Sequence, residues 1–368
     1  MPTHVRSHAK INLGLAIGPT RPDGFHALTT IYQTLAIHDF VTVAAERLPE
    51  GAASSIQMTC TDARVPCDGR NTCWKMVERA LRHMHISARV RIHIDKKLPV
   101  QGGLGAGSAN AVAALIGLER ELGEALPSAE EMALAAAVGS DVPLFLIGGT
   151  VLGVGRGEQV TPLPDLPETP CVVAVPPIGV STPQAFRDWD ARQQAQSTAS
   201  QGKSQPGEQG QPGQPGLTGA SASDRLEELG HRWVAALAGT QQDFATDSGV
   251  FPVEDRAEGS LLRLVRAGTE NDFECVVFQQ HPSLHGILQV LRLPSTESPG
   301  ALYAALSGSG SALFGLYATE AEAQAAGKRL AVAGVPALLT KTIARAEYWR
   351  TMVEGEAQDG RPEAVGHS

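Results

Sequence analysis

The residues Pro99-Val100-Gln101-Gly102-Gly103-Leu104-Gly105-Ala106-Gly107-Ser108-Ala109-Asn110 hold four glycines, two alanines and no charge. Small residues let a backbone run close to a ligand, and glycine reaches dihedrals that other residues avoid. Successive N–H groups can converge on one concavity, and the apolar helical pattern beginning near Ser108 adds the positive end of its dipole. That combination suits a polyphosphate. The same residues also describe a glycine-rich turn capped by Ser108, and the stretch alone leaves both readings open. It is not a Walker loop, which needs Gly-Lys-Ser/Thr. Nor is it a dinucleotide fingerprint, because no acidic residue follows at the required distance.

Other chemistry-bearing residues are ambiguous one at a time. Ala9, Ile11, Leu13, Leu15 and Ile17 alternate with Lys10, Asn12 and Gly14. This is strand periodicity, and it places Lys10 and Asn12 on one face. A lysine on a strand face is ordinarily solvated. Asp141, two residues before Pro143, has the place of a helix cap, although an acid at a helix mouth can also face a ligand. Ser307-Gly308-Ser309-Gly310-Ser311, ahead of Ala312-Leu313-Phe314, reads as a helix-to-strand loop with weak anion-binding potential. Phe186, shortly after Thr182-Pro183, reads alone as a core residue.

The elements that must position these residues follow from pattern. Strands are expected at Val5–Ile17, Phe25–Leu35, Phe40–Ala44, Ile56–Cys60 and Ala88–Ile94, with the turn Arg21-Pro22-Asp23-Gly24 between the first two. A helix is expected over Thr72–Met84. Another carries Val112, Leu115, Leu118 and Leu122, and a third is opened by a Ser128/Glu131 capping box and ends at Gly139. A short helix follows Asp141-Val142-Pro143, and a turn and strand run from Gly148 to Gly157. A second domain then starts with the strand Cys171–Val175 and contains helices near Arg225–Ala238, Ser260–Arg266 and Thr319–Ala333. Gln193–Ser223, rich in Gln, Gly, Pro and Ser, is expected to be a disordered insertion, and the tail beyond Glu354 is expected to be disordered too.

Composition narrows the class. A chain of 368 residues can build two cores. A net charge of −9, with 30 Lys and Arg against 39 Asp and Glu, argues against a nucleic-acid partner. No apolar run reaches membrane-span length and the N-terminus has no signal-peptide core, so no membrane partner and a cytoplasmic location are expected. Cys60, Cys67, Cys73, Cys171 and Cys275 are scattered and odd in number, as reduced cytosolic thiols are; Cys67 and Cys73 are too isolated for a zinc site. Nothing in the sequence sets an oligomeric state.

Taken in order, the pieces resemble the GHMP small-molecule kinases. The ordered set is Lys10-Ile11-Asn12-Leu13, the glycine loop, Gly-Ser-Asp141-Val-Pro, Gly-Arg-Gly and Ser-Gly-Ser-Gly-Ser. Within that superfamily Arg21-Pro22-Asp23-Gly24-Phe25-His26, Asp141-Val142-Pro143-Leu144-Phe145, Gly149-Thr150 through Arg156-Gly157-Glu158 and Asn271-Asp272-Phe273-Glu274 are similar to the branch that acts on 4-diphosphocytidyl-2-C-methyl-D-erythritol. The resemblance covers roughly residues 5 to 350 apart from the insertion.

It implies an α/β (α+β) two-domain GHMP kinase fold. Residues 1–158 would form the N-terminal ATP-binding domain with a left-handed βαβ crossover, against the usual right-handed preference. Residues 159–352 would form a C-terminal ferredoxin-like α/β sandwich, and 353–368 the tail. The implied reaction moves the γ-phosphoryl of ATP, with Mg2+, to the 2-hydroxyl of that small-molecule substrate, a step of non-mevalonate isoprenoid precursor biosynthesis. Asp141 would accept or orient the hydroxyl proton, with Lys10 beside it offsetting charge on the moving phosphoryl. Pro99, Val100, Gln101, Gly102, Gly103, Leu104, Gly105, Ala106, Gly107, Ser108 and Ala109 would wrap the triphosphate. Ser108 is also the candidate metal contact, and Asn71 matches a position in the adenine pocket. Phe25 and Phe186 would sandwich the cytosine while His26 reads its polar edge and Asn12 and Thr182 place the substrate.

The chain departs from the family pattern at Phe25, where Tyr is more frequent, at Ala106 and Ala109, where Gly and Ser are usual, and at Ser140, where Ala is usual. The insertion follows Phe186 closely. Two alternatives compete: a homoserine or mevalonate-type GHMP kinase, whose substrate has no base for Phe25-His26 to stack, and a non-catalytic nucleotide-binding protein, which has no need of both Lys10 and Asp141.

Overall fold

The computed structural model describes residues 1–201, 222–242, 253–294 and 300–354. Two long antiparallel strands, β1 (Thr3–Thr20) and β2 (His26–Arg47), form its spine. The runs expected as separate strands before and after residue 36 are one 22-residue strand. β2 pairs on its other edge with β4 (Ala88–Asp95) and, nearer its start, with β5 (Thr150–Gly155). β3 (Ser55–Cys60) lies parallel to β4, and α1 (Thr72–Met84) makes the crossover between them. α2 (Ala106–Leu122) and α3 (Ser128–Val138) follow β4. The helix expected from a Ser128/Glu131 capping box is present, but the box is not. Pro127 is the N-cap and the Ser128 side chain lies inside the helix, where it cannot reach back to the first free N–H groups.

The sheet continues through β6 (Gln159–Pro162), which pairs with β5 beyond the expected domain boundary at residue 158. The second sheet contains β7 (Pro170–Ala174), β8 (Tyr303–Leu306), β9 (Leu313–Leu316) and β10 (Ala337–Lys341) in the order β10-β7-β9-β8, antiparallel throughout. Between β7 and β8 run α4 (Thr182–Gln201), α5 (Ala222–Gln242), α6 (Val253–Arg266), α7 (Glu274–Gln280) and α8 (Pro282–Arg292). α9 (Glu320–Val332), opened by a true capping box from Thr319 and Glu322, links β9 to β10. This is the β-α-β-β-α-β plan of a ferredoxin-like sandwich, elaborated in its first crossover.

Residues 193–201, expected to be disordered, continue helix α4. Ala191 to Gln201 contain no glycine or proline, and the first breaker is Gly202. At the other end Ala222 and Ser223 open α5. The rest of that expectation, and the tail beyond Glu354, lie outside the described residues. α10 (Arg345–Met352) returns to the first sheet, where buried Tyr348 donates to the Phe145 carbonyl at 2.7 Å.

β1 shows why the two halves meet where they do. Ala9, Ile11 and Leu13 share a core with Cys171, Val173, Trp233 and Phe314 from the second half, while Lys10 and Asn12 are turned toward β2 and residue 141. One strand therefore carries apolar residues for the junction and polar residues for a cleft beside it.

Candidate active site

Lys10 is 2% exposed, and an ammonium so deeply buried needs an anion and hydrogen-bond acceptors. Its Nζ lies 3.2 Å from Asp141 Oδ2 and donates to Asn12 Oδ1 at 2.7 Å. Asn12 donates onward to Thr30 Oγ1 at 2.8 Å, and Thr30 to the Gly14 carbonyl at 2.7 Å, so the amide oxygen is held toward the lysine. Opposite Asn12 in the β1–β2 register stands Tyr32. Its hydroxyl donates to Asp141 Oδ1 at 3.0 Å and lies 3.4 Å from the Gly157 carbonyl. Burial, reinforced by the neighbouring Asp141, pushes the Tyr32 phenol well above its ordinary range, so it remains a donor. Each oxygen of Asp141 thus has one fixed donor, while the side chain keeps a third of its surface open. It does not cap a helix: the 3-10 turn Pro143–Leu146 has Val142 at its N-cap and no side-chain cap bond.

The glycine stretch passes beside this group and is tied at several points. Upstream, fully buried Asp39 accepts the Lys97 and Leu98 N–H groups on Oδ1, each at 2.7 Å, and Lys96 Nζ on Oδ2 at 2.6 Å. Downstream, the Lys10 backbone N–H donates to Leu104 O at 2.9 Å. Between these, Gly103 has φ +81° and a Cβ there would come 2.0 Å from Ser307 O. Ser307 Oγ donates to Gly103 O at 3.1 Å, and the Ala312 N–H to Gly102 O at 3.1 Å. The Ser-Gly-Ser-Gly-Ser segment therefore joins two strands, β8 and β9, rather than a helix and a strand, and it braces the glycine loop from the second half. Asn271 supports it in turn, donating to Leu306 O at 2.8 Å and Gly308 O at 2.7 Å.

α2 begins at Ala106, with Gly105 at its N-cap in the left-handed region and no side-chain cap. A helix start of this kind presents unspent N–H groups and positive potential. Ala106 and Ala109 are buried and Ser108 is half-buried in the first turn. Asn71 spends its amide on structure, with Oδ1 accepting the Cys73 N–H and Nδ2 donating to Pro66 O, both at 2.8 Å. Its neighbour Thr72 donates to Gly107 O at 2.5 Å. Asn71 thus caps the start of α1, and Thr72 ties that helix to the glycine loop.

Across the cleft stand aromatic rings. Phe186, one turn into α4, stacks on His26 at 4.7 Å between ring centroids with a 10° interplanar angle, and meets Phe273 edge-on at 4.9 Å. His26 Nε2 lies 2.8 Å from Asp190 Oδ1. Phe25 is exposed, and the Arg156 guanidinium stands 4.9 Å above its ring. Phe186 is thus partnered by His26 and Phe25 by Arg156. Thr182 Oγ1 is 2.6 Å from Ser309 Oγ.

Lys10, Asn12, Phe25, His26, Gln101, Gly102, Gly103, Asp141, Thr182 and Phe186 line one cavity of about 620 Å³. Pro99, Val100, Asn71 and residues 104–109 are outside its lining. Tyr32 and Arg156 also line it, and sequence reasoning gave neither a role. Tyr32 becomes visible only through the β1–β2 register. Arg156 had a signal, a cation between two glycines in a matched motif, but no neighbour in sequence to say what it faces. Among the described residues no helix is long and apolar enough to cross a membrane.

Residues 71–149 match the GHMP kinases N terminal domain, and residues 254–334 match the GHMP kinases C terminal family. A 4-diphosphocytidyl-2-C-methyl-D-erythritol kinase of Solibacter usitatus is 34% identical over 318 residues, which is 85% of this chain and 81% of that protein. One from Acaryochloris marina is 32% identical over 321 residues, covering 87% and 88%. A crystal structure of 4-(cytidine 5'-diphospho)-2C-methyl-D-erythritol kinase superposes with a TM-score of 0.60 at 25% identity, covering 92% of this chain and 98% of that one. A homoserine kinase from Cytophaga hutchinsonii has a TM-score of 0.62 at 18% identity, over 93% and 95% of the two chains, and shares the fold. With relatives above 30% identity over most of both chains, this protein belongs to the 4-diphosphocytidyl-2-C-methyl-D-erythritol kinase family of GHMP kinases.

Proposed function

We propose that this chain transfers the γ-phosphoryl of ATP to the 2-hydroxyl of 4-diphosphocytidyl-2-C-methyl-D-erythritol, in the cytoplasm and with magnesium. The observation that carries the reading is the Lys10–Asp141–Tyr32 group, which opens into a cavity with a backbone-lined glycine wall on one side and an aromatic wall on the other. Phosphoryl transfer has a loose transition state, so catalysis is mostly in-line positioning and electrostatic stabilisation. The parts suit that division. Gln101 to Ala109, ending at the start of α2, cradles the triphosphate through N–H groups. Asp141, fixed by two donors, orients the acceptor hydroxyl and takes its proton. Lys10, held within the charge pair, offsets charge that develops on the moving phosphoryl.

Among the described residues no three His, Cys, Asp or Glu side chains converge as a metal cage. Magnesium would arrive on the nucleotide's own phosphates, with Ser108 Oγ the candidate protein contact. When bound, the ion would neutralise phosphate charge. At the other end, Phe25, His26 and Phe186 offer the cytosine ring faces and one polar edge. The homoserine and mevalonate alternatives leave that wall without an occupant.

The test is purified protein with ATP, magnesium and a panel of 4-diphosphocytidyl-2-C-methyl-D-erythritol, homoserine, mevalonate and phosphomevalonate, followed by phosphorus NMR of the products. Transfer to the cytidylyl alcohol with a kcat/KM at least about 100-fold above the others is expected. A preference for one of the smaller alcohols overturns the substrate, and no transfer to any of them overturns the kinase reading.

A further inference from the structure

We propose that Arg156 binds the diphosphate of the alcohol substrate and sets the enzyme's preference for a nucleoside diphosphate over a nucleoside. This deepens the reading just given, since it takes the acceptor to be a cytidylyl alcohol. Such a molecule has a base at one end, a hydroxyl acceptor at the other and two phosphates between them. The cavity has both ends in place, the rings around His26 and the Asp141 group.

Arg156 lines the same cavity and is tied to both ends. Its guanidinium carbon is 4.9 Å from the Phe25 ring centroid. The turn that carries it is joined to the reaction end, because the Gly157 carbonyl lies 3.4 Å from the Tyr32 hydroxyl that donates to Asp141. The flanking glycines, with φ +76° at Gly155 and +95° at Gly157, give the sharp turn that projects the side chain into the cavity lining.

Charge accounting favours the same residue. The cationic or ionisable bases lining the cavity are Lys10, His26 and Arg156. Lys10 is buried against Asp141, and His26 Nε2 is engaged by Asp190. The Arg156 Nε is 3.6 Å from Glu158 Oε1, and its terminal nitrogens make no hydrogen bond among the described residues. Glu158 and the Phe25 ring therefore hold the stem and the face of the guanidinium, and the residue lines the cavity with its outer fork unspent. A planar fork matches phosphate oxygens in a bidentate way that an ammonium does not.

The experiment compares CDP with cytidine, which lacks the phosphates, by titration calorimetry in the presence of a saturating non-hydrolysable ATP analogue that keeps the nucleotide site filled. Wild-type protein is expected to bind CDP at least about tenfold more tightly than cytidine. Arg156→Gln should bring the two within about threefold, and Arg156→Lys should fall between, with melting temperatures within a few degrees of wild type. In turnover, Arg156→Gln should raise KM for the cytidylyl alcohol by roughly 10- to 100-fold and leave KM for ATP unchanged. An Arg156→Gln protein that keeps the wild-type preference for CDP overturns the diphosphate role. So does a wild-type protein that binds cytidine and CDP equally. A wild-type protein that binds neither overturns the cytidylyl reading itself, and this inference with it.

Discussion

The two walls of the cavity are made of different material. The wall proposed for the nucleotide is backbone: Gly102 and Gly103 are contiguous in sequence and braced by Ala312 and Ser307, while Asp39 ties Lys97 and Leu98 just upstream. The wall proposed for the alcohol is side chain, assembled from the hairpin after β1, the turn after β5 and the first turn of α4. A wall of N–H groups can hold any triphosphate and read little else. A wall of rings and a guanidinium can discriminate one alcohol from another. The difference predicts that damage to the first will appear in the affinity for ATP and damage to the second in the affinity for the alcohol, with Asp141, at their junction, appearing in neither.

The largest effect is expected at that junction. Asp141→Asn keeps the shape of the side chain but removes the proton acceptor and the charge facing Lys10, so kcat should fall by about 100-fold or more. Dissociation constants for ATP and for the cytidylyl alcohol, measured without turnover, should stay within about threefold of wild type. A folded Asp141→Asn protein turning over near the wild-type rate would falsify the catalytic assignment and leave Asp141 as a support for Tyr32 and Lys10.

The backbone wall comes next, and two glycines separate its geometry from generic strain. Gly103 and Gly24 both have φ +81°, but a Cβ at Gly103 would lie 2.0 Å from the Ser307 carbonyl oxygen, whereas at Gly24 nothing stands within 4 Å. Alanine in the left-handed region costs roughly 1–2 kcal/mol at either site. Gly103→Ala must also push the loop off its brace, so KM for ATP should rise by about tenfold or more while Gly24→Ala leaves KM for ATP unchanged. Equal kinetics for the two variants would show that the brace does not shape the nucleotide site.

This contrast also explains what could be read from the sequence. The glycine loop stands out in the sequence because it is a contiguous run of small residues, and Lys10 with Asn12 because strand period puts both on one face. Asp141 was ambiguous until the structure showed its oxygens committed to Lys10 and Tyr32 and the 3-10 turn capped by nothing. Tyr32 and Arg156 were not legible as site residues, since one depends on cross-strand register and the other on a contact between segments about 130 positions apart. The end of α4 is hidden in the sequence because a Gln- and Ser-rich composition resembles a linker, although the breakers that would stop a helix begin only at Gly202.

The side-chain wall gives a smaller and more selective effect. Phe186 is half-buried against Phe273 and stacked on His26. Aromatic stacking on a base contributes ~1–3 kcal/mol, so Phe186→Ala should lower kcat/KM for the cytidylyl alcohol by roughly 5- to 150-fold. KM for ATP should hardly change, and cytidine nucleotides should compete with the alcohol rather than with ATP. If the melting temperature falls and both KM values rise together, Phe186 is a core residue of the second half and the two walls are less separate than their construction implies.

The smallest effect is expected at Tyr32, whose hydroxyl touches both the junction and the alcohol-side wall. Tyr32→Phe keeps the ring that packs between β1 and β5 and removes only the donor to Asp141 and the contact with Gly157. A hydrogen bond to a charged acceptor contributes about 1.5–3 kcal/mol, and Lys10 still holds the other carboxylate oxygen. Part of the lost orientation is therefore retained, and kcat should fall by roughly 3- to 30-fold with both KM values within about twofold of wild type. A merely structural role would move the melting temperature and leave kcat alone. A third pattern, KM for the alcohol rising while kcat holds, would mean that the hydroxyl acts through the Gly157 turn and the placement of Arg156. Tyr32 would then belong to the recognition wall, and Asp141 would be oriented by Lys10 alone.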